Sequence, residues 1–182
     1  MIRGAVLGSP ISHSLSPALH RAAFERLGVA GSYEAIDVAS GTLSDFFLSN
    51  QSEFDYFSLT MPLKEEAHLL NVTCDELSLR IGSINTLYKK EGSWFGTSTD
   101  GSGFLAALNA QGHSRCSQAL ILGAGGTARA VAGALDGNVE TLTVMGRTST
   151  RRDALERCVQ KSTFNYLPWM SDPDINSYDL II

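Results

Sequence analysis

Several things that other kinds of protein need are missing from this sequence. It has no run of basic residues, and 14 Lys+Arg stand against 19 Asp+Glu. A chain of that balance has no footprint for a phosphate backbone, so nucleic acid is not expected as a partner. No apolar stretch approaches the roughly 20 residues a membrane span requires. The apolar run in the N-terminal "MIRGAVLGSP" is too short for a secretory signal, so neither membrane nor export is expected. Cys74, Cys116 and Cys158 are odd in number, far apart and in no CxxC pair. Idle thiols in a reducing, cytoplasmic compartment are the expectation. The four histidines, His13, His20, His68 and His113, have no metal-ligand spacing, so no metal site is expected.

What is present is ordinary for a folded protein, with 43% hydrophobic and 18% charged residues in 182. That length holds one medium domain or two small ones. Apolar runs alternate with helical patterns throughout, which predicts α/β architecture. "GAVLG" reads as a strand and "SPALHRAAFERLG" as a helix, with Leu19, Ala22, Ala23 and Leu27 on one face and Gly28 as its stop. "SYEAIDV" and "FDYFSLT" read as strands around a short helix, "GTLSDFFLSN". "KEEAHLL" and "CDELSLRIG" read as helical, and "NTLYKKEGSWFG" as a hairpin.

A second unit begins near Asp100. "GSGFLAALNAQG" reads as a joining helix, then "QALILGAGGTARAVAGAL" as strand, turn and helix. "ETLTVMG" is the next strand, "TRRDALERCVQK" a helix, and "YDLII" opens a third strand. A dinucleotide fold has two βαβαβ halves. Only the first is expected here, which suggests the front part of a longer protein.

"ILGAGGTARA" carries Gly123-x-Gly125-x-x-Ala128 between an apolar strand and a helix. In such a turn the first glycine permits the bend and the second lets a pyrophosphate approach the backbone. The small third residue packs helix on strand, and the helix N-terminus offers free amides to the anion. Selection of NAD uses an acid about twenty residues on. "VMGRTSTRR" has none there; it offers Arg147, Thr148, Arg151 and Arg152. Guanidinium groups suit a 2′-phosphate, so NADP is favoured.

"SPISHSLSPALH" is crowded with hydroxyls. Ser16-Pro17 is a good helix start, with Ser16 as the cap. That leaves Ser14 without a structural duty. "SLTMPLKEEAHLL" places Thr60 at a strand end, Pro62 in a turn and Lys64 at a helix start. A cation is disfavoured there by the helix dipole, which suggests use as an acid or base. A snorkelling surface lysine is the plain alternative. Asp100 is expected first as a helix cap, and Asn85 with Thr86 as turn chemistry. Taken together, Ser14, Ser16, Thr60, Lys64, Asn85, Thr86 and Asp100 all fall at element ends, which in an open α/β sheet face one crevice. Such a set suits a small polyhydroxylated acid.

The blocks "GSPISHSLSPALH", "LTMPLKEEA", "IGSINTL", "GTSTDGSGF", "GAGGTARA" and "GRTSTR" resemble those of the shikimate dehydrogenases, in the family's order. The resemblance implies an α/β substrate-binding catalytic domain over residues 1–100. It implies the first, incomplete half of an NADP-binding Rossmann domain over 101–182. It implies a small-molecule reaction, the NADP-dependent interconversion of 3-dehydroshikimate and shikimate, by a monomer or homodimer. Ser14 and Ser16 would bind the substrate carboxylate, and Thr60, Asn85 and Asp100 the ring hydroxyls. Lys64 would exchange the proton, paired with Asp100. Gly123, Ala124, Gly125, Gly126, Thr127 and Ala128 would take the pyrophosphate, and Arg147, Thr148 and Arg151 the 2′-phosphate. Glu76 sits where some members have an acid that contacts the cofactor. The family usually has Asn where this chain has Ser58, Ser98 and Gly146. A preference for quinate or another hydroxy acid therefore stands beside the shikimate reading. A ligand-binding module without hydride transfer is the alternative from a different class.

Overall fold

Ala5, Val6 and Leu7 are all buried, and the strand they form lies inside a six-stranded sheet. The computed structural model describes residues 1–112 and 116–182; His113 lies outside them. In chain order the first elements are β1 (Ile2–Gly8), α1 (Ser16–Leu27), β2 (Gly31–Asp37), α2 (Leu43–Asn50), β3 (Tyr56–Leu59) and β4 (Thr73–Cys74). Next come α3 (Glu76–Ile81), β5 (Thr86–Lys90), β6 (Ser93–Thr97) and α4 (Asp100–Ala110). The chain continues through β7 (Gln118–Leu122), α5 (Gly126–Leu135), β8 (Thr141–Gly146), α6 (Arg152–Glu156), β9 (Thr163–Pro168) and β10 (Leu180–Ile181). This is an α/β protein. It divides into two compact units, Met1–Asp75 with Ser83–Thr97, and Glu76–Gly82 with Ser98–Ile182.

The first unit is the sheet β2-β1-β3-β5-β6-β4. β1 runs parallel to β2 and β3, and β3 is antiparallel to β5. The hairpin β5–β6 turns on Glu91 and Gly92, both at positive φ, which matches the twist of the strands it joins. One sheet face carries the main core, with Phe57, Leu7, Leu43, Leu63 and Leu87 fully buried. The other carries Val6, Ile11 and Tyr33, packed against Phe24 of α1 and Tyr56 of β3.

α1 ends at Gly28 in the left-handed conformation, but its inward face differs from the expected one. Leu19 and Leu27 are about 70% exposed, and no residue of the helix is fully buried. The helix instead leans on the sheet through Phe24 and through His20, whose ring stacks on Tyr33 at 3.8 Å between centroids. Counting apolar residues misses this. Long aromatic rings four positions apart reach a sheet that small alanines do not.

The second unit is an all-parallel sheet in the order β10-β7-β8-β9. Two expectations are corrected here. The third strand of the βαβαβ run is β9, in a stretch not read as a strand. Its burial is uneven, so its apolar run is short, and it is recruited by pairing with β8 from Thr141↔Thr163 to Gly146↔Pro168. "YDLII" supplies β10, which pairs with β7 on the side away from β8. That is the place of the fourth strand in a dinucleotide fold, where the strand order reverses. The helix in "TRRDALERCVQK" is also shorter than expected. α6 stops at Glu156, after which Cys158 and Val159 turn inward on i→i+3 bonds to Leu155 and Glu156.

Residues 76–82 were expected inside the first unit, yet they pack with the second. Ile81 belongs to the same core as Ala119, Val131 and Leu142. Asp136, at the end of α5, ties this piece down. Its carboxylate accepts the amides of Lys161 (2.7 Å) and Ser162 (3.0 Å) and the Arg80 guanidinium (3.4 Å). All three cysteines are free. Burial pushes the Cys158 thiol up to about 11, which makes it inert as a nucleophile. Among the described residues no helix is long and apolar enough to cross a membrane.

Candidate functional site

In the first unit the carboxyl ends of β1 and β3, the start of β5 and the end of β6 share one sheet edge. The registers Leu7↔Leu59, Ser58↔Thr86 and Thr86↔Thr97 set this. Backbone hydrogen bonds then fix what lies beyond. Thr60 donates to Leu7 (2.9 Å), Ser9 to Met61 (3.1 Å), Leu59 to Asn85 (2.7 Å) and Ile84 to Lys64 (2.9 Å). Thr60, Lys64, Asn85 and Thr86 are thus brought to one edge, each half-buried. The Thr86 hydroxyl donates to Asn85 Oδ1 at 2.9 Å.

The segment 9–15 leaves β1 at this same edge and reverses the roles expected of its serines. α1 starts at Ser16, but no side chain caps it from the preceding residue, Leu15. It is Ser14 Oγ that accepts the Ser16 amide, at 3.3 Å. Ser14 therefore has a structural duty, a hydroxyl turn across two residues, and the Ser16 hydroxyl makes no cap.

Lys64 is also differently placed. It stands in a turn ahead of a four-residue 3₁₀ helix, Glu66–Leu69, rather than at the start of an α-helix. So short a helix has little dipole, and the electrostatic argument for Lys64 falls away. Glu66 has work of its own, accepting the Gly41 amide at 2.9 Å and the Ser40 hydroxyl. Nothing in the sequence marked that link between two loops.

In the second unit Gly123 takes φ +134° and its amide donates to Met145 at 2.9 Å. Gly125 is extended, and α5 begins at Gly126. A Cβ built at either glycine would meet no atom within 4 Å, so the outer side of the turn is open. The first amides of α5, at Gly126, Thr127 and Ala128, lack intrahelical acceptors as in any helix. Ala128 packs on the core beneath. Asp100 is not the cap of α4; that place belongs to Thr99, and Asp100 lies in the first turn. Its Oδ2 accepts the Thr127 hydroxyl at 3.2 Å, which joins α4 to the glycine turn.

Arg147 and Thr148 stand exposed just past β8. Arg151 reaches back from the following 3₁₀ turn to the carbonyl of Ala124, at 3.3 Å. Open glycines, a helix N-terminus and guanidinium groups, with no carboxylate in residues 146–152, form a donor set that fits NADP. Glu76 is exposed at the start of α3. Among the described residues no group of three or more His, Cys, Asp or Glu could hold a metal ion.

A model of the shikimate dehydrogenase substrate binding domain matches residues 6–87. The NADP⁺ shikimate dehydrogenase of Thermus thermophilus is 46% identical over 157 residues, 85% of this chain and 59% of that protein. The chain belongs to the shikimate dehydrogenase family. Its likeness to the enzyme of that name from Exiguobacterium is 38% over 185 residues, covering 98% of this chain and 66% of the other. The crystal structure of the Thermus thermophilus shikimate 5-dehydrogenase, in complex with NADP(H) and shikimate, superposes with a TM-score of 0.82 at 43% identity. It covers 92% of this chain and 63% of its own. The chain thus spans about three fifths to two thirds of the length of the shikimate dehydrogenases it matches.

Proposed function

We propose that the protein to which this chain belongs is a cytoplasmic, NADP-dependent dehydrogenase that interconverts 3-dehydroshikimate and shikimate. The observation that carries this reading is the common sheet edge of Thr60, Lys64, Asn85 and Thr86, reached also by the segment that holds Ser14 and Ser16. Hydroxyls, an amide and one cation at one edge are what a small acid with several hydroxyls requires. Residues 1–100 then bind substrate, and residues 101–182 bind the dinucleotide.

The serine hydroxyls of Ser14 and Ser16 donate to the substrate carboxylate. Thr60, Asn85 and Asp100 hold the ring hydroxyls and orient the carbinol carbon. NADP(H), when bound, supplies or accepts the hydride. Lys64 gives a proton to the ketone oxygen in reduction and removes it from the hydroxyl in oxidation, with Asp100 as the other member of the acid–base pair. Residues 123–128 hold the pyrophosphate, and Arg147, Thr148 and Arg151 the 2′-phosphate.

Calorimetric titration of this chain with shikimate tests the reading. Saturable binding supports it. A folded sample that binds quinate and not shikimate moves the substrate to another hydroxy acid. Binding without turnover in the full-length protein reduces the function to ligand capture.

A further inference from the structure

The loop that carries the basic residues is held from a strand outside it. Tyr166 lies on β9, opposite Val144 in the β8–β9 register. Its hydroxyl donates to the carbonyl of Thr148 at 2.6 Å, so the phenol crosses over the end of β8. Gly146, the last residue of β8, is buried directly beneath it. A Cβ placed there would lie 1.8 Å from the Tyr166 hydroxyl oxygen and 2.7 Å from its ring. The ring therefore fills the room that any side chain at position 146 would need.

We propose that Tyr166, matched to Gly146, is the positioning residue that sets recognition of the 2′-phosphate. This rests on the NADP reading above. Three contacts define residues 147–151 as one unit. Tyr166 pins the Thr148 carbonyl, the Thr148 and Thr150 hydroxyls bond at 2.8 Å, and Arg151 bonds the glycine turn at Ala124. Arg147 and Thr148 are adjacent to the pinned carbonyl, so the hydrogen bond fixes where their side chains start. Bidentate recognition of a phosphate by a guanidinium depends on orientation and is lost by small displacements. Its hydrogen bond is to the backbone of the loop, and it is through that backbone that Tyr166 acts.

The test uses this chain and two probes that differ by one phosphate, 2′,5′-ADP and 5′-ADP. The native chain should bind 2′,5′-ADP more tightly. Tyr166→Phe keeps the ring and removes the hydroxyl. It should weaken 2′,5′-ADP binding about tenfold at most, the upper worth of one hydrogen bond, and leave 5′-ADP binding unchanged. Gly146→Ala should cause the same selective loss by displacing the ring. In a Tyr166→Ala background, where the ring is gone, Gly146→Ala should add nothing. If the native chain prefers 2′,5′-ADP but Tyr166→Phe loses neither probe or both equally, the proposal is overturned and the NADP reading stands. If the native chain shows no preference between the probes, the NADP reading fails and the proposal falls with it.

Discussion

Tyr56 Oη and His20 Nδ1 lie 2.7 Å apart, joining β3 to α1 across 36 residues of sequence. The same histidine ring stacks on Tyr33, parallel to within 2°. Three polar aromatic side chains thus pack together between α1 and the sheet.

This cluster makes stability depend on pH at both ends. Burial lowers His20 below its ordinary value of 6.5. The unfolded chain therefore binds a proton first as pH falls below 6.5, and stability declines down to the folded value. Burial, with the neighbouring Tyr33, pushes Tyr56 up to about 12 from 10.0. There the unfolded chain loses a proton first, so stability declines as pH rises from 10 to 12. Urea unfolding of the native chain and of His20→Gln at pH 8 and pH 5.5 checks the acid limb. The variant should lose less stability between those values than the native chain does.

Asp136 should act in the same sense as His20, at lower pH. Burial by itself would raise its carboxyl, but the amides of Lys161, Ser162 and Gln160 and the Arg80 guanidinium outweigh burial and lower it from 3.8. Its contribution is present above 3.8 and is lost as pH falls through the lower folded value. Asp136→Ala leaves part-buried amides and a guanidinium without this acceptor, and should cost about 2 kcal/mol at neutral pH. An unchanged urea midpoint would show that water replaces the carboxylate.

Ser14 and Ser16 separate in a paired experiment. Ser14→Ala removes the acceptor of the Ser16 amide and should lower stability by about 0.5 kcal/mol, besides weakening shikimate binding. Ser16→Ala removes no cap, so it should weaken binding with stability unaltered. Calorimetry and denaturant unfolding on both variants read the two effects apart.

Lys64→Ala, in the full-length protein, should reduce kcat by about 10²–10⁴-fold while the dissociation constant of shikimate changes little. Equal losses in turnover and in binding would show a binding cation and not a proton carrier.

How far the amino-acid string alone leads can be judged from particular residues. Gly28 and Gly123 announced their turns because positive φ is a property of the residue itself. The hairpin at Glu91 and Gly92 was readable in the same way. Tyr166 carried no signal: a tyrosine in an uneven strand looks like any other until β8 lies beside it. Nothing in the string pointed Glu66 to its partners, Ser40 and Gly41.

The sequence by itself determined the α/β class, most strands and helices, the glycine turn and the six blocks of the family. All of these are encoded by neighbours within a few positions, where propensity and periodicity act. Tertiary structure alone decided which face of α1 is inward and where β9 and β10 pair. It alone decided that Gly146 must stay bare beneath Tyr166. Those outcomes depend on contacts between residues far apart in the chain, whose energy exists only once the backbone has brought them together.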